Sequence, residues 1–339
     1  MSQKINVGLI GAGRIGRVHA ENLAYRLPEV NLVAVTDVFL EAAQKCAADF
    51  QIPVVAKDHR AILDNDDIEA VIICSSTDTH APFIAEAAAA GKHVFCEKPI
   101  ALDLKAIDQA LEMVEKSGVK LQIGFNRRFD ANFRQARELV ANGQLGTPHI
   151  VRITSRDPAP PPIDYIKVSG GIFLDMMIHD FDMARYLIDS EVEEIFASGG
   201  VMIDPAIGEA GDVDTAVVIL RYVNGAIGTI DNSRQAVYGY DQRVEVFGSA
   251  GGVVVANKTP HSAVFSDAEG VHAAKPLYFF LERYNDAFVT EMRAFVEAVQ
   301  QDKTPPVTGV DGRIPVVMGL AAWKSYRENR PVKLTEIEA

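Results

Sequence analysis

The chain has 339 residues, is 48% apolar and carries a formal net charge of −13. Domains hold ~100–200 residues, so two domains are expected, and the acidic balance argues against nucleic acid and anionic membrane surfaces, both of which call for a basic patch. Three widely spaced cysteines, Cys46, Cys74 and Cys96, form no CxxC pair, which points to a reducing compartment. The N-terminus reads straight into a strand without an apolar leader, and no run of ~18 apolar residues occurs. The expectation is a cytoplasmic protein.

In chain order, Val7–Ile10 predicts a strand, His19–Tyr25 a helical stretch, Leu32–Thr36 a second strand and Glu41–Phe50 an Ala-rich helix. Val54–Ala56 is short and β-like, His59–Leu63 helical, and Val71–Cys74 a compact apolar strand. Thr79–Ala90 is a helix closed by Gly91, followed by strands at His93–Cys96 and Leu121–Ile123 with a further helix between them. Continuous apolar strands alternating with helices indicate a parallel sheet covered on both faces.

After about Asn126 the pattern changes. A helix at Phe133–Asn142 ends at Gly143, and a proline run at Pro158–Pro162 reads as a stiff surface loop. Alternating strands follow at Ile150–Thr154, Glu194–Ser198, Ala216–Tyr222, Ala226–Asp231 and Arg243–Phe247, with Asn224-Gly225 as a hairpin turn. Helices are expected at Gly171–Leu187, Leu281–Gln300 and Ile314–Glu328. The expected division therefore falls at residue 125, with an α/β domain over 1–125 and an α+β domain over 126–339.

Gly11-Ala12-Gly13-Arg14-Ile15-Gly16 fits G-x-G-x-x-G between a strand and a helix. The first glycine permits the turn, the second lets the backbone approach a pyrophosphate, and the third lets helix and strand pack closely. The helix N-terminus offers N–H groups to phosphate. Asp37 stands 21 positions after Gly16, at the end of the second strand, where a ribose-binding acid is expected. Its carboxylate suits the ribose hydroxyls of NAD and repels a 2′-phosphate; Val38 and Phe39 supply no cation to hold one. NAD is the expected cofactor.

Glu97-Lys98-Pro99 follows a strand, so Lys98 lies beyond the carboxyl end of the sheet, where ligands bind, and Pro99 stiffens it. Asp175 and His179 are four apart in an apolar stretch, so on a helix they share a face, and a carboxylate beside an imidazole can orient the ring. Ser75, Ser76, Thr77 and His80 are expected to line the cofactor at the start of an Ala-rich helix, with N-capping at Asp78–His80 as the alternative. The scattered His and Cys residues fit no zinc spacing, so no metal is expected.

These residues resemble the family of glucose–fructose oxidoreductase and inositol dehydrogenase over nearly the whole chain, on Val7–Gly16, Glu97-Lys98-Pro99 and the segment bearing Asp175 and His179. Gly124–Asp130, Gly170–His179 and Ile230–Asp241 are similar to the inositol 2-dehydrogenase branch in particular. The resemblance implies an N-terminal Rossmann domain with a doubly wound parallel sheet, and a C-terminal α+β domain whose open antiparallel sheet packs against another subunit, giving a homo-oligomer, a tetramer by expectation. It implies a catalytic trio of Lys98, Asp175 and His179, with Glu97 and Asn126 beside the cofactor. The expected reaction is hydride transfer from a secondary hydroxyl of a cyclic polyol to NAD. His179 would act as base and Lys98 would stabilise the oxygen, though which of the two takes the proton is open. Arg127, Asp157 and Tyr284 are further candidates for substrate hydroxyls. An aldose dehydrogenase and a non-catalytic NAD-binding redox sensor are the competing readings; an intact acid–base trio disfavours the sensor.

Overall fold

The computed structural model describes residues 4–338. They form two compact units: residues up to Phe129 together with Asp286–Ile314, and Asp130–Asn285 together with residues from Pro315 onward.

The first unit is built on six strands, β1 (Ile5–Ile10), β2 (Val30–Thr36), β3 (Val54–Val55), β4 (Ala70–Ile73), β5 (His93–Glu97) and β6 (Leu121–Gly124). They lie in the order β3-β2-β1-β4-β5-β6, and each adjacent pair is parallel. Helices α1 (Arg14–Tyr25), α2 (Leu40–Phe50), α3 (His59–Leu63), α4 (Thr77–Ala89) and α5 (Leu104–Ser117) make the crossovers. Every residue of β4 is buried, as expected of a strand covered on both faces. Strand order reverses between β1 and β4, the switch point at which a doubly wound sheet opens a crevice at its carboxyl edge.

The sequence reading placed everything after residue 125 in the second domain. The structure assigns 286–314 to the first unit, and the reason is an apolar stripe. Val289, Met292, Phe295 and Val296 of the helix Asn285–Gln300 join Val7, Leu9, Ile72 and Phe95 in one core. Phe295 meets Phe95 edge-on at 6.0 Å, and the Gln122 amide donates to the Glu291 carbonyl at 2.8 Å.

In the second unit α6 (Ala131–Ala141) is capped by Asp130. Strand β7 (Pro148–Arg156) leads into α7 (Ile163–Ser169), a π-helical turn at Ile172–Met176 and α8 (Ile178–Ile188). Strands β8 (Val192–Gly200), β9 (Thr215–Tyr222), β10 (Ile227–Ser233), β11 (Asp241–Gly248) and β12 (Gly251–Val255) follow. A separate hairpin joins β13 (Val264–Asp267) to β14 (Gly270–Ala273), and β15 (Val332–Lys333) closes the main sheet. Its order is β12-β11-β7-β10-β9-β8-β15. Antiparallel pairing was expected throughout, but β10 runs parallel to β7, because the β9–β10 hairpin is inserted beside β7 after the crossover through α7 and α8. Asn224-Gly225 makes the hairpin turn, with Gly225 at φ +87°.

The run Ala216–Leu220 is apolar at successive positions, and its two faces differ. Ala216, Val218, Leu220 and Tyr222 are buried, whereas Val217 and Ile219 are 48% and 44% exposed. The Tyr222 hydroxyl donates to the Ala184 carbonyl at 3.1 Å, so α8 covers the buried face.

The helix Asn285–Gln300 should therefore be integral to the nucleotide-side core. Phe295→Ala is expected to cost about 3–5 kcal/mol, read as a lowered denaturant midpoint for the transition reported by residues of the first unit.

Candidate active site

In a parallel sheet all strand carboxyl ends share one edge. The glycine turn after β1, Asp37 after β2, Ser75 after β4, Lys98 after β5 and Asn126 after β6 therefore gather along the same rim of the first unit.

At that rim Gly11 takes φ +100°, and a side chain there would strike the Cys74 carbonyl carbon at 2.5 Å. Gly16 faces the Gly11 carbonyl, leaving no room for a Cβ. Gly13 has open space beside it and caps α1 without a side-chain hydrogen bond; the first turn of α1 holds no acid. A positive helix end without an acid in its first turn, and an open approach, fit a pyrophosphate. Arg14 and Ile15 occupy that first turn. Asp37 accepts the Ala12 N–H on Oδ2 at 2.7 Å and the Phe39 N–H on Oδ1 at 2.9 Å, so its carboxylate is fixed between the glycine turn and the end of β2. Val38 and Phe39 are 90% and 73% exposed and bring no cation.

Ser76 caps α4 and Thr77 begins it, while Ser75 Oγ lies 2.6 Å from Thr79 Oγ1. His80 is buried, with Nδ1 2.7 Å from the Pro99 carbonyl and Nε2 3.0 Å from the Ser75 carbonyl. Burial pushes its pKa down against the upward pull of those two carbonyls, and the ring bridges the loop after β4 and the loop after β5. Lys98 is half-buried and precedes Pro99 across a cis peptide bond. The Glu97 carboxylate turns inward, with Oε1 2.8 Å from His19 Nε2. Asn126 and Arg127 open the 3-10 turn after β6, each 5% exposed.

In the second unit Asp175 and His179 do not share a regular α-helix. Asp175 sits in the π turn, closed by the Met177 N–H on the Ile172 carbonyl at 2.8 Å, and His179 is the second residue of α8. Such insertions recur at functional sites. Asp175 Oδ1 accepts from the Tyr165 hydroxyl at 2.8 Å, and Oδ2 is 3.6 Å from Arg234 Nη1. Arg234 is 1% exposed and also reaches Asp212 at 3.3 Å. Burial raises the Asp212 pKa against the pull of that guanidinium. Asp212 Oδ1 in turn accepts the Ile172 N–H at 2.9 Å, anchoring the start of the π turn. Below α8, Asp180 accepts from Ser155 at 2.7 Å and from Asn232 at 2.9 Å.

Asp157 follows β7, and its main chain pairs with the Ser233 carbonyl and the Ala236 N–H. Tyr284 is buried among rings, 6.4 Å from Phe133 and 6.0 Å from Tyr240, beneath the Arg283 guanidinium at 4.8 Å. Arg283 is ion-paired with Asp130. Tyr165, Asp212 and Arg234 escaped the sequence reading. Arg234 lies inside Ile230–Asp241, but a lone arginine after a strand carries no spacing signal.

A glycine turn at the switch point of a doubly wound sheet, with an acid fixed after β2, defines a dinucleotide-binding protein. Residues 5–125 match the oxidoreductase family with an NAD-binding Rossmann fold, and residues 133–254 match the GFO/IDH/MocA C-terminal domain. The chain belongs to the GFO/IDH/MocA family. It is 50% identical to a myo-inositol 2-dehydrogenase of Thermotoga maritima over 333 residues, covering 98% of this chain and 99% of that one. It is 44% identical to an inositol 2-dehydrogenase of Rhizobium meliloti, covering 97% and 99%. The solved structure of a scyllo-inositol dehydrogenase from Lactobacillus casei, with bound NAD(H) and scyllo-inositol, superposes with a TM-score of 0.92 at 30% identity, covering 98% and 100%. The cofactor of this chain is NAD.

Asp37 should reject NADP. Replacing Asp37 with Ser and Val38 with Arg is expected to move the kcat/KM ratio of NAD to NADP toward NADP. Similar efficiency of the unaltered protein with both cofactors would refute the role given to Asp37.

Proposed function

We propose that this chain oxidises a secondary hydroxyl of an unphosphorylated cyclic polyol, myo- or scyllo-inositol, to the corresponding inosose. The observation that carries this reading is near full-length likeness, at up to 50% identity, to inositol dehydrogenases. NAD supplies the hydride acceptor when bound. In the proposed roles, an imidazole nitrogen of His179 takes the hydroxyl proton. Lys98 Nζ donates to the same oxygen and stabilises its developing charge. Asp175, held by Tyr165 and Arg234, orients His179 and accepts from a neighbouring hydroxyl. Asp157 and Arg127 serve the remaining hydroxyls. The carboxylates of Asp157 and Asp175 suit hydroxyl donors and oppose a substrate phosphate. Tyr284, packed among rings, supports this region from within the second unit.

No helix among the described residues is long and apolar enough to cross a membrane. Its compartment in this reading is the cytoplasm, supported by three cysteines that are all free and buried. The chain assembles in this reading as a homo-oligomer, a tetramer, through the sheet face that carries Val217, Ile219, Ile227, Phe247 and Val254, all 44–67% exposed.

With NAD, kcat/KM measured across inositol stereoisomers, glucose, xylose and a sugar phosphate should favour an inositol; preference for the phosphorylated sugar, or no activity with any inositol, refutes the substrate. Lys98→Ala, Asp175→Asn and His179→Ala should each lower kcat by ~10²–10⁴-fold with NAD binding retained. Light scattering at micromolar concentration should return the mass of a multimer, and Val217→Asp with Ile219→Asp should lower it; a monomer mass for the unaltered chain rejects the assembly.

A further inference from the structure

Beneath Lys98, inside the first unit, three titratable side chains meet without solvent. His19 comes from α1, Glu97 from the end of β5 and Glu291 from the helix Asn285–Gln300, and they are 0%, 8% and 0% exposed. One ligating atom from each lies within 4.8 Å of the others. The His19 ring is fixed edge-on between Phe95 at 5.1 Å and Phe288 at 5.8 Å, and its Nε2 is 2.8 Å from Glu97 Oε1. Glu97 rests against Gly124, where a Cβ would stand 3.0 Å from Oε2. Neither carboxyl oxygen of Glu291 has a hydrogen-bond partner, and neither does His19 Nδ1.

We propose that Glu291 is a positioning residue: it stays a carboxylic acid at neutral pH, so that Glu97 beside it can stand ionised against His19 and hold the adjoining Lys98 in place.

The argument is a count of charges and donors. The titratable groups near Glu291 are His19 from α1, Glu97 from β5 and Cys74 after β4; Cys96 of β5 adjoins Glu97. Burial pushes both thiols up, so neither contributes charge. Two ionised carboxylates this close and this dry repel each other strongly. A cation on His19 would offset one charge only by leaving an Nδ1–H buried without an acceptor. A proton on Glu291 solves both problems. Glu97 is then the one ionised carboxylate of the two, and its Oε1 takes the hydrogen bond of His19 Nε2–H. Burial, reinforced by the charge of Glu97, drives the Glu291 carboxyl well above the usual carboxylate range, in the same direction.

The sign of the stability effect follows. Above the ordinary carboxylate range the unfolded chain has released the Glu291 proton while the folded one keeps it. Rising pH therefore favours unfolding until the folded group itself ionises. Glu291→Gln keeps the shape and a donor but removes that linkage. Its Tm should exceed that of the unaltered protein at pH 8, by ~3 °C or more, and the gap should narrow toward pH 5. Infrared difference spectra of the two proteins at pH 7 should show one protonated-carboxyl C=O band that the variant lacks. Absence of that band, or a Gln variant less stable at pH 8 than at pH 5 relative to the parent, overturns the proposal. Bound divalent metal in the purified protein, by elemental analysis, overturns it as well, since the trio would then be an ionised ligand set. The link to Lys98 rests on the catalytic role proposed above and has its own readout. Glu291→Leu should lose ~10- to 100-fold in kcat with KM for NAD little changed, and Glu291→Gln should recover most of it. Equal kcat in the two variants breaks that link, while the infrared band still decides where the proton lies.

Discussion

The nucleotide half depends on one close approach. The third glycine of the turn, Gly16, faces the Gly11 carbonyl, and Gly11 faces the main chain at Cys74 and Ser75. Backbone therefore meets backbone where β1, α1 and the loop after β4 converge. Because no side chain intervenes, the N-terminus of α1 reaches the carboxyl edge of the sheet. Asp37 then fixes the turn from the other side through the Ala12 N–H. In the proposed role Asp37 would select the ribose while it braces the glycine turn, so a substitution there would also disturb the geometry of that turn.

The second unit solves a different problem, that of holding an acid and an imidazole in an apolar segment. Its means is a chain of buried polar groups. Asp212 secures the main chain at Ile172, Arg234 lies between Asp212 and Asp175, and Asp180 binds Ser155 and Asn232 of the sheet. Each buried charge is matched by an opposite charge or by donors, as burial requires. The π turn inserts one extra residue between the segment that carries Asp175 and the helix that carries His179. Their relation is therefore not that of two residues four apart on one regular α-helix.

Sequence made the sheet legible because its signals are local. Glycine spacing, an acid at the end of the second strand and unbroken apolar runs each reflect a contact with a near neighbour in the chain. The helix Asn285–Gln300 was legible as a helix, but its partner was not, since an amphipathic stripe names no receiving surface. The parallel pairing of β10 with β7 was hidden for the same reason: alternation marks a strand and says nothing of its neighbour's direction. Arg234 and Asp212 were missed because single charged residues far apart in sequence become a pair only through the fold. Glu97 was read as part of a Glu-Lys-Pro motif facing the cofactor, whereas its carboxylate points toward His19 from the core side of the strand.

The residues given roles in the proposed reaction fall in both units: the first holds the glycine turn, Asp37 and Lys98, the second Asp157, Asp175 and His179. In the proposed reaction neither set is sufficient. A lysine without the imidazole has no partner to receive the hydroxyl proton, and an imidazole without the lysine leaves the alkoxide charge unmet. Substitutions in the second unit can therefore retune which ring is held without touching the glycine turn or Asp37. The cluster of His19, Glu97 and Glu291 lies wholly in the first unit, so the proton arrangement proposed for it does not depend on residues of the second.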